Sequence, residues 1–352
     1  MGVKQGMKNT TNSLICRVII VIVLFASTVI AGEKGSPEDT LKQFFDDQKA
    51  GMETIADRSA AMKDHVSSLK DVNVRYKNGN TLLHYAANRG YLDVAALLLK
   101  KGADINARDK DGRTPLHEAM AYRRYDVARF LIENGADMSL RNKDGDTPLI
   151  SVVFMDDKKR AVDLVNFFIV KGFDVSRSAD ARLLNESIRR GHHDVAAVLL
   201  EKGVVYNESS LPDAASMGYE DIFAVLLSRG ADPGGKDILR AAAASGNVGI
   251  LKTLLEKGRR PTAEDVDLAL YKGRRDAAVL LNDVLKGSGD QGVDITARCR
   301  MKPDPGPCMA LFHAGYYDEI AGACRSFTYG GCGGTVPFET QDACKRICES
   351  EK

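Results

Sequence analysis

Apolar positions along this chain recur in short, helix-spaced clusters closed by glycine. LLHYAANRG, residues 82–90, and LDVAALLLKKG, residues 92–102, each place apolar side chains on one face of a short helix. Leu97, Leu98 and Leu99 widen the apolar face of the second helix, while Ala86 and Ala87 let the first pack closely. Gly102 and Gly135 stand where a left-handed residue would stop a helix. A frame of Leu-x-x-Ala, then Gly, then an apolar residue recurs as Leu211, Ala214, Gly218 and Ile222, and as Leu239, Ala242, Gly246 and Ile250. It returns more loosely as Val266, Ala269, Gly273 and Ala277, and with serine for alanine as Leu184, Ser187, Gly191 and Val195. The pattern predicts seven helix pairs over residues 71–287, the last acting as a cap. One pair cannot bury its own apolar face, so neighbours are expected to stack into a solenoid. Residues 32–70, with the amphipathic run from EDTLKQFF through HVSSLKD, are expected to form a helical cap at the other end.

A different apolar pattern lies at the N-terminus. Lys4 and Lys8 precede VIIVIVLFASTVIA, and Val29 and Ala31 offer small residues at a cleavage point. This layout predicts a signal peptide over residues 1–31 and an exported protein, secreted or periplasmic. The alternative is an uncleaved anchor, since Leu14 to Ala31 carries Arg17 as its one charge. A membrane partner is expected only in that second case.

Three stretches identify the repeat. NGNTLLHYAANRGYLDVAALLLKKGADINARDK from Asn78 and DGRTPLHEAMAYRRYDVARFLIENGADMSLRNK from Asp111 are followed by DGDTPLI from Asp144. Gly79, Gly112 and Gly145 recur every 33 residues. This period, with TPLHEA and GADINARD, closely resembles the ankyrin repeat. The third repeat carries an insertion near MDDKKRA, and the repeats after it are short, with reduced finger loops. The resemblance implies an array that binds a protein partner, whose identity the sequence does not give.

Composition narrows the function. A net charge of +1 argues against nucleic acid as a partner. The chain has no GxSxG, HExxH or phosphate-loop signature, so it reads as a non-enzyme with no cofactor. His84 and His117 fit a structural turn rather than a metal site, and none is expected. DKDGRT and NKDGDT read as finger-tip turns rather than calcium loops. The pairs Arg123-Arg124, Arg189-Arg190 and Arg274-Arg275 suggest an edge for an anionic partner, with a solvated face as the alternative. Two sequons begin at Asn185 and Asn207, and Asn185 falls in the repeat's turn packing.

Residues 288–298 are Gly-rich and polar at their start and read as a flexible linker. Six cysteines follow, separated by 8, 15, 7, 11 and 3 residues. Spacings of 15 and 11 are not those of zinc pairs, and His313 is the one histidine nearby. With FTYGGC at the fourth cysteine, residues 299–352 resemble the Kunitz (pancreatic trypsin inhibitor) family. The fold class expected is therefore mainly α: an ankyrin-repeat solenoid followed by a small disulfide-rich α+β Kunitz domain.

The Kunitz resemblance implies the pairs Cys299–Cys348, Cys308–Cys332 and Cys324–Cys344. It implies a reactive bond between Met309 and Ala310, in a loop with Gly306, Pro307, Cys308 and Leu311, backed by Gly330 and Gly331. Phe327, Tyr329 and Phe338 match the family's core aromatics, and Gly322 its glycine before the third cysteine. GGTVP, between Cys332 and Phe338, is one residue shorter than usual and lacks the asparagine that commonly anchors the loop. The implied function is inhibition of a serine protease with an apolar primary pocket, chymotrypsin-like or elastase-like, because methionine suits such a pocket. The alternative is an interaction scaffold whose Kunitz module is a structural or binding unit without inhibitory activity.

Overall fold

A computed structural model describes residues 59–307 and 310–349, apart from 61, 64, 65, 68, 77, 177–180 and 236. The expected signal peptide, and the expected cap as far as residue 58, lie outside the described residues. No helix among the described residues is long and apolar enough to cross a membrane. The chain divides into two compact units, residues 1–136 and 137–352.

In the first unit, α1 (Leu82–Arg89) and α2 (Leu92–Lys100) form one pair, and α3 (Pro115–Ala121) and α4 (Tyr125–Glu133) the next. α1 packs on α3 and α2 on α4. Thr81 and Thr114 start the first helix of each pair through a capping box closed by a histidine. His84 Nδ1 accepts the Thr81 amide at 3.1 Å, which leaves Nε2 protonated to donate to the Arg113 carbonyl at 3.0 Å. His117 Nδ1 accepts the Thr114 amide at 3.1 Å. Burial pushes the His84 pKa down and keeps it neutral in this role. His84 thereby links its turn to the next one. Ahead of α1, Met62 and Val66 are buried, and Ser59 and Lys63 both reach Asp93 in the first turn of α2.

The second unit opens with a departure. The first helix of its first pair, Pro148–Phe154, is a 3₁₀-helix rather than an α-helix. Ile150, Val152 and Val153 are β-branched, and their stiff χ1 angles fit a helix poorly. The insertion near MDDKKRA goes into α5 (Lys158–Val170), which runs to 13 residues and is capped by Asp157. Four regular pairs follow, the first three being α6 (Ala181–Arg189) with α7 (His193–Glu201), α8 (Ser210–Met217) with α9 (Glu220–Ser228), and α10 (Ile238–Ser245) with α11 (Val248–Glu256). The last is α12 (Ala263–Tyr271) with α13 (Arg275–Gly287), preceded by its neighbours in the same order, so that the described residues hold seven pairs if the 3₁₀-helix is included. First helices stack on first helices from α6 to α12, and second on second from α5 to α13. Every apolar residue of the repeated frame from Leu184 to Ala277 is buried.

The paired arginines are committed within the fold. Arg124 Nε donates to the Asn88 carbonyl at 3.1 Å, and Arg274 Nε to the Ala244 carbonyl at 3.2 Å. Arg189 pairs with Asp213 at 2.8 Å and Arg190 with Glu186 at 2.9 Å. Arg124, Arg189 and Arg274 thus connect one helix pair to the next, while Arg190 pairs within its own helix.

The segment expected to be a flexible linker is tied down. Buried Asn282 donates Nδ2 to the Val293 carbonyl at 3.0 Å and accepts the Val293 amide on Oδ1 at 2.8 Å. A 3₁₀-helix, Ile295–Arg300, leads into the cysteine module. There β1 (Phe312–Asp318) and β2 (Ala323–Tyr329) pair antiparallel, and α14 (Gln341–Cys348) packs on both. Phe338 is fully buried, and its backbone exchanges both hydrogen bonds with Gly315. Phe327 is half-buried, edge-on to Tyr316 at 5.9 Å.

Candidate functional site

The site is built from two crossing segments that disulfides hold in place. Cys299–Cys348 joins the 3₁₀-helix to the end of α14, with Cα atoms 5.8 Å apart, and Cys324–Cys344 joins β2 to α14 at 5.9 Å. Cys332 is also disulfide-bonded. Cys308, its expected partner, and Met309 lie outside the described residues. A module this small has too little core to hold its shape without such links.

On the N-terminal side of the expected reactive bond, Asp304 and Thr335 form an isolated antiparallel bridge, with N–H···O distances of 3.0 and 3.1 Å. The Gly306 amide donates to Asp304 Oδ1 at 3.0 Å, and the Gly330 amide donates to the Pro305 carbonyl at 2.8 Å. On the C-terminal side, the Ala310 amide donates to the Gly330 carbonyl at 3.1 Å. The first segment is therefore bound to the second on both sides of residues 308 and 309. Gly306 has φ +69°, and a Cβ there would collide with the Cys332 carbonyl oxygen, so glycine is required. Gly331 lies beneath Ala310 and the Phe312 ring.

The outer face of this loop is open and neutral. Pro307 and Ala310 are exposed, and Leu311 is 80% and Phe312 60% exposed. Residues 305–307, 310–312 and 330–334 include no charged side chain. The structure thus brings together Gly306, Pro307, Ala310, Leu311, Gly330 and Gly331. Asp304, Thr335 and Phe312 were not singled out by sequence. The one local signal was Asp304 two residues before Gly306, the spacing of an Asx-turn. Thr335 sits in the shortened GGTVP segment. Its bridge to Asp304 provides backbone anchoring where the family's usual asparagine is missing. Among the described residues, no group of three His, Cys, Asp or Glu side chains could hold a metal ion.

Comparison with known proteins agrees with this architecture. Residues 31–142 match the family model for ankyrin repeats (3 copies), and residues 116–169 that for ankyrin repeats (many copies). Residues 298–349 match the Kunitz/Bovine pancreatic trypsin inhibitor domain. The chain carries ankyrin repeats followed by a C-terminal Kunitz domain. Kunitz-type serine protease inhibitor bitisilin-2 of Bitis gabonica is 47% identical over 51 residues, 14% of this chain and 57% of that protein. Kunitz-type serine protease inhibitor mulgin-4 of Pseudechis australis is 47% identical over 14% of this chain and 61% of its own length. The chain thus spans less than two thirds of these relatives, and the likeness is confined to the Kunitz domain. The crystal structure of a human ankyrin repeat domain aligns at TM-score 0.45 and 27% identity, over 57% of this chain and 98% of that one.

Proposed function

We propose that this chain is an exported serine-protease inhibitor of Kunitz type whose ankyrin array is a protein-binding scaffold. The reactive bond is Met309–Ala310, with Gly306, Pro307, Cys308 and Leu311 around it and Gly330 and Gly331 behind. The observation that carries this reading is the pinning of the chain on both sides of residues 308 and 309 by Pro305–Gly330 and Ala310–Gly330 backbone bonds, with Leu311 left outward. A preordered segment binds a protease cleft with little loss of conformational entropy. Methionine at the primary position is unbranched, neutral and polarizable, and suits an apolar pocket. A trypsin-like pocket would keep its carboxylate unpaired against it.

The test is a set of inhibition constants for trypsin, chymotrypsin and elastase on wild type and Met309→Lys. Wild type should inhibit the latter two enzymes, and the variant should shift its preference to trypsin. If neither protein inhibits any of the three, the inhibitor reading fails. The second reading, a non-inhibitory interaction module, draws on the shortened GGTVP segment and is the one that such a result would favour.

A further inference from the structure

Helix pairs in this chain hold their neighbours by two recurring connections. In the first, a side chain beginning a second helix reaches back to a carbonyl at the end of the preceding first helix. Asn247 Nδ2 donates to the Gly218 carbonyl at 3.0 Å and Arg274 Nε to the Ala244 carbonyl at 3.2 Å. In the second, the residue after the leading apolar position of the frame reaches forward to the next pair. Asn185 Nδ2 donates to Asn207 Oδ1 at 2.7 Å, and Arg240 pairs with Glu264 at 3.1 Å.

The Kunitz domain engages the same acceptor position and the same frame position past α13. Arg346 of α14 donates Nε to the Gly273 carbonyl at 3.0 Å, at the end of the last first helix. Asp267, the residue after Val266 in the frame, pairs with Arg298 at 3.2 Å. The row of first helices also continues, since α14 packs on α12. The Glu339 amide donates to the Tyr271 carbonyl at 3.0 Å, and Lys272 pairs with the Glu339 carboxylate. The approach is close enough to constrain sequence: Gly273 has φ +68°, and a Cβ there would stand 2.5 Å from the Ala343 Cα.

We infer that the Kunitz domain stands where the next repeat would stand and acts as the C-terminal cap of the array. A terminal repeat needs such a cover because its outward face would otherwise lose the packing each inner repeat receives. The covering groups come from three stretches, at Arg298, Glu339 and α14, and the Cys299–Cys348 and Cys324–Cys344 links tie those stretches into one body. The order of α12 and α13 therefore depends on the module's disulfides. None of the loop residues Gly306, Pro307, Ala310, Leu311, Gly330 or Gly331 belongs to these contacts, so capping leaves the loop open. The inference is independent of whether the loop inhibits a protease.

Hydrogen–deuterium exchange on the full chain tests it. In oxidised wild type, α12 and α13 should be protected about as well as α10 and α11. Ala343→Arg, which forces α14 away from Gly273, should speed exchange in α12 and α13 by about tenfold or more. Reduction of the disulfides should do the same without any substitution. Exchange in α8 and α9 should change far less. Unchanged exchange in α12 and α13 after both the substitution and the reduction overturns the inference, because reduction disperses the covering groups even if the variant stays docked.

Discussion

Asn185 and Asn207, which begin the chain's two sequons, are hydrogen-bonded to each other: Nδ2 of Asn185 donates to Oδ1 of Asn207 at 2.7 Å. The same Nδ2 donates to the Ser209 hydroxyl at 2.9 Å, and Asn185 Oδ1 accepts from Ser210 at 2.6 Å. A glycan on Asn185 would need that buried nitrogen. Mass spectrometry of the folded chain, produced through a eukaryotic secretory pathway, should find no sugar at Asn185. Asn185→Ala should cost about 1–3 kcal/mol by leaving buried hydrogen-bonding groups short of partners, read from a urea unfolding midpoint. A variant as stable as wild type would mean these bonds contribute nothing net.

His193 gives the second unit a pH-sensitive link. Its Nε2 lies 2.9 Å from both carboxylate oxygens of Asp221, in the next pair, and Nδ1 lies 3.2 Å from Asp194. The hydrogen bond to Asp221 holds its pKa above the ordinary value. A raised folded-state pKa means stability that is full below about pH 6.5 and lost as pH rises through the folded value. Neighbouring His192 is shifted the other way by burial, so total stability is a poor readout. The difference in unfolding midpoint between wild type and His193→Gln isolates the link. It should be largest near pH 5.5 and shrink toward pH 8, and a flat difference would refute the assignment.

His84 in the first unit has the opposite sign. Burial lowers its pKa, and the neutral ring both accepts from Thr81 and donates to Arg113. Its contribution is present above about pH 6.5 and lost as pH falls toward the folded value. Hydrogen exchange in α1 should quicken on acidification through that window in wild type. The same experiment on His84→Gln, which cannot titrate, should show no such change beyond the intrinsic pH effect.

The sequence carried the repeat frame because burial imposes it on every pair: Leu211, Ala214 and Ile222 are buried for the same reason as Leu239, Ala242 and Ile250. The helix stops at Gly102 and Gly135 were equally visible, since only a left-handed residue fits there, and both have positive φ. What escaped notice was the use of charged side chains. An arginine beside a turn looks the same in sequence whether solvated or bonded to a carbonyl, so Arg124, Arg274 and Arg346 gave no sign of their acceptors. The tether between Asn282 and Val293 was hidden likewise. Gly-rich KGSGDQGV looks loose until the Asn282 amide is seen to grip Val293. The Asp304–Thr335 bridge was hidden because a two-residue backbone pairing leaves no periodic pattern to read.

Gly306 is where the candidate loop should be least tolerant of change. The φ of +69° and the overlying Cys332 carbonyl both oppose any side chain there. A left-handed conformation alone costs a residue with Cβ about 1–2 kcal/mol, and the collision adds to that. Gly306→Ala should therefore loosen the pairing of Pro305 with Gly330, seen as faster exchange of the Gly330 amide. On the inhibitor reading it should also raise the inhibition constant by about tenfold or more. Faster exchange without weaker inhibition would separate loop order from function and count against preorganisation as the source of binding.

Oxidation of Met309 offers a chemical probe that changes no sequence. Met309 is proposed to enter an apolar primary pocket through a flexible, uncharged side chain. Its sulfoxide keeps nearly the same length but adds a polar oxygen that an apolar pocket cannot hydrogen-bond. Mild peroxide should therefore weaken inhibition of chymotrypsin-like or elastase-like enzymes, and methionine sulfoxide reductases should restore it. Other methionines will oxidise too, Met301 at 37% exposure among them, so the comparison needs Met309→Leu. That variant preserves the apolar character but cannot form a sulfoxide, and its inhibition should resist peroxide. If Met309→Leu loses activity on oxidation as wild type does, the sensitive residue is elsewhere and Met309 does not occupy the pocket.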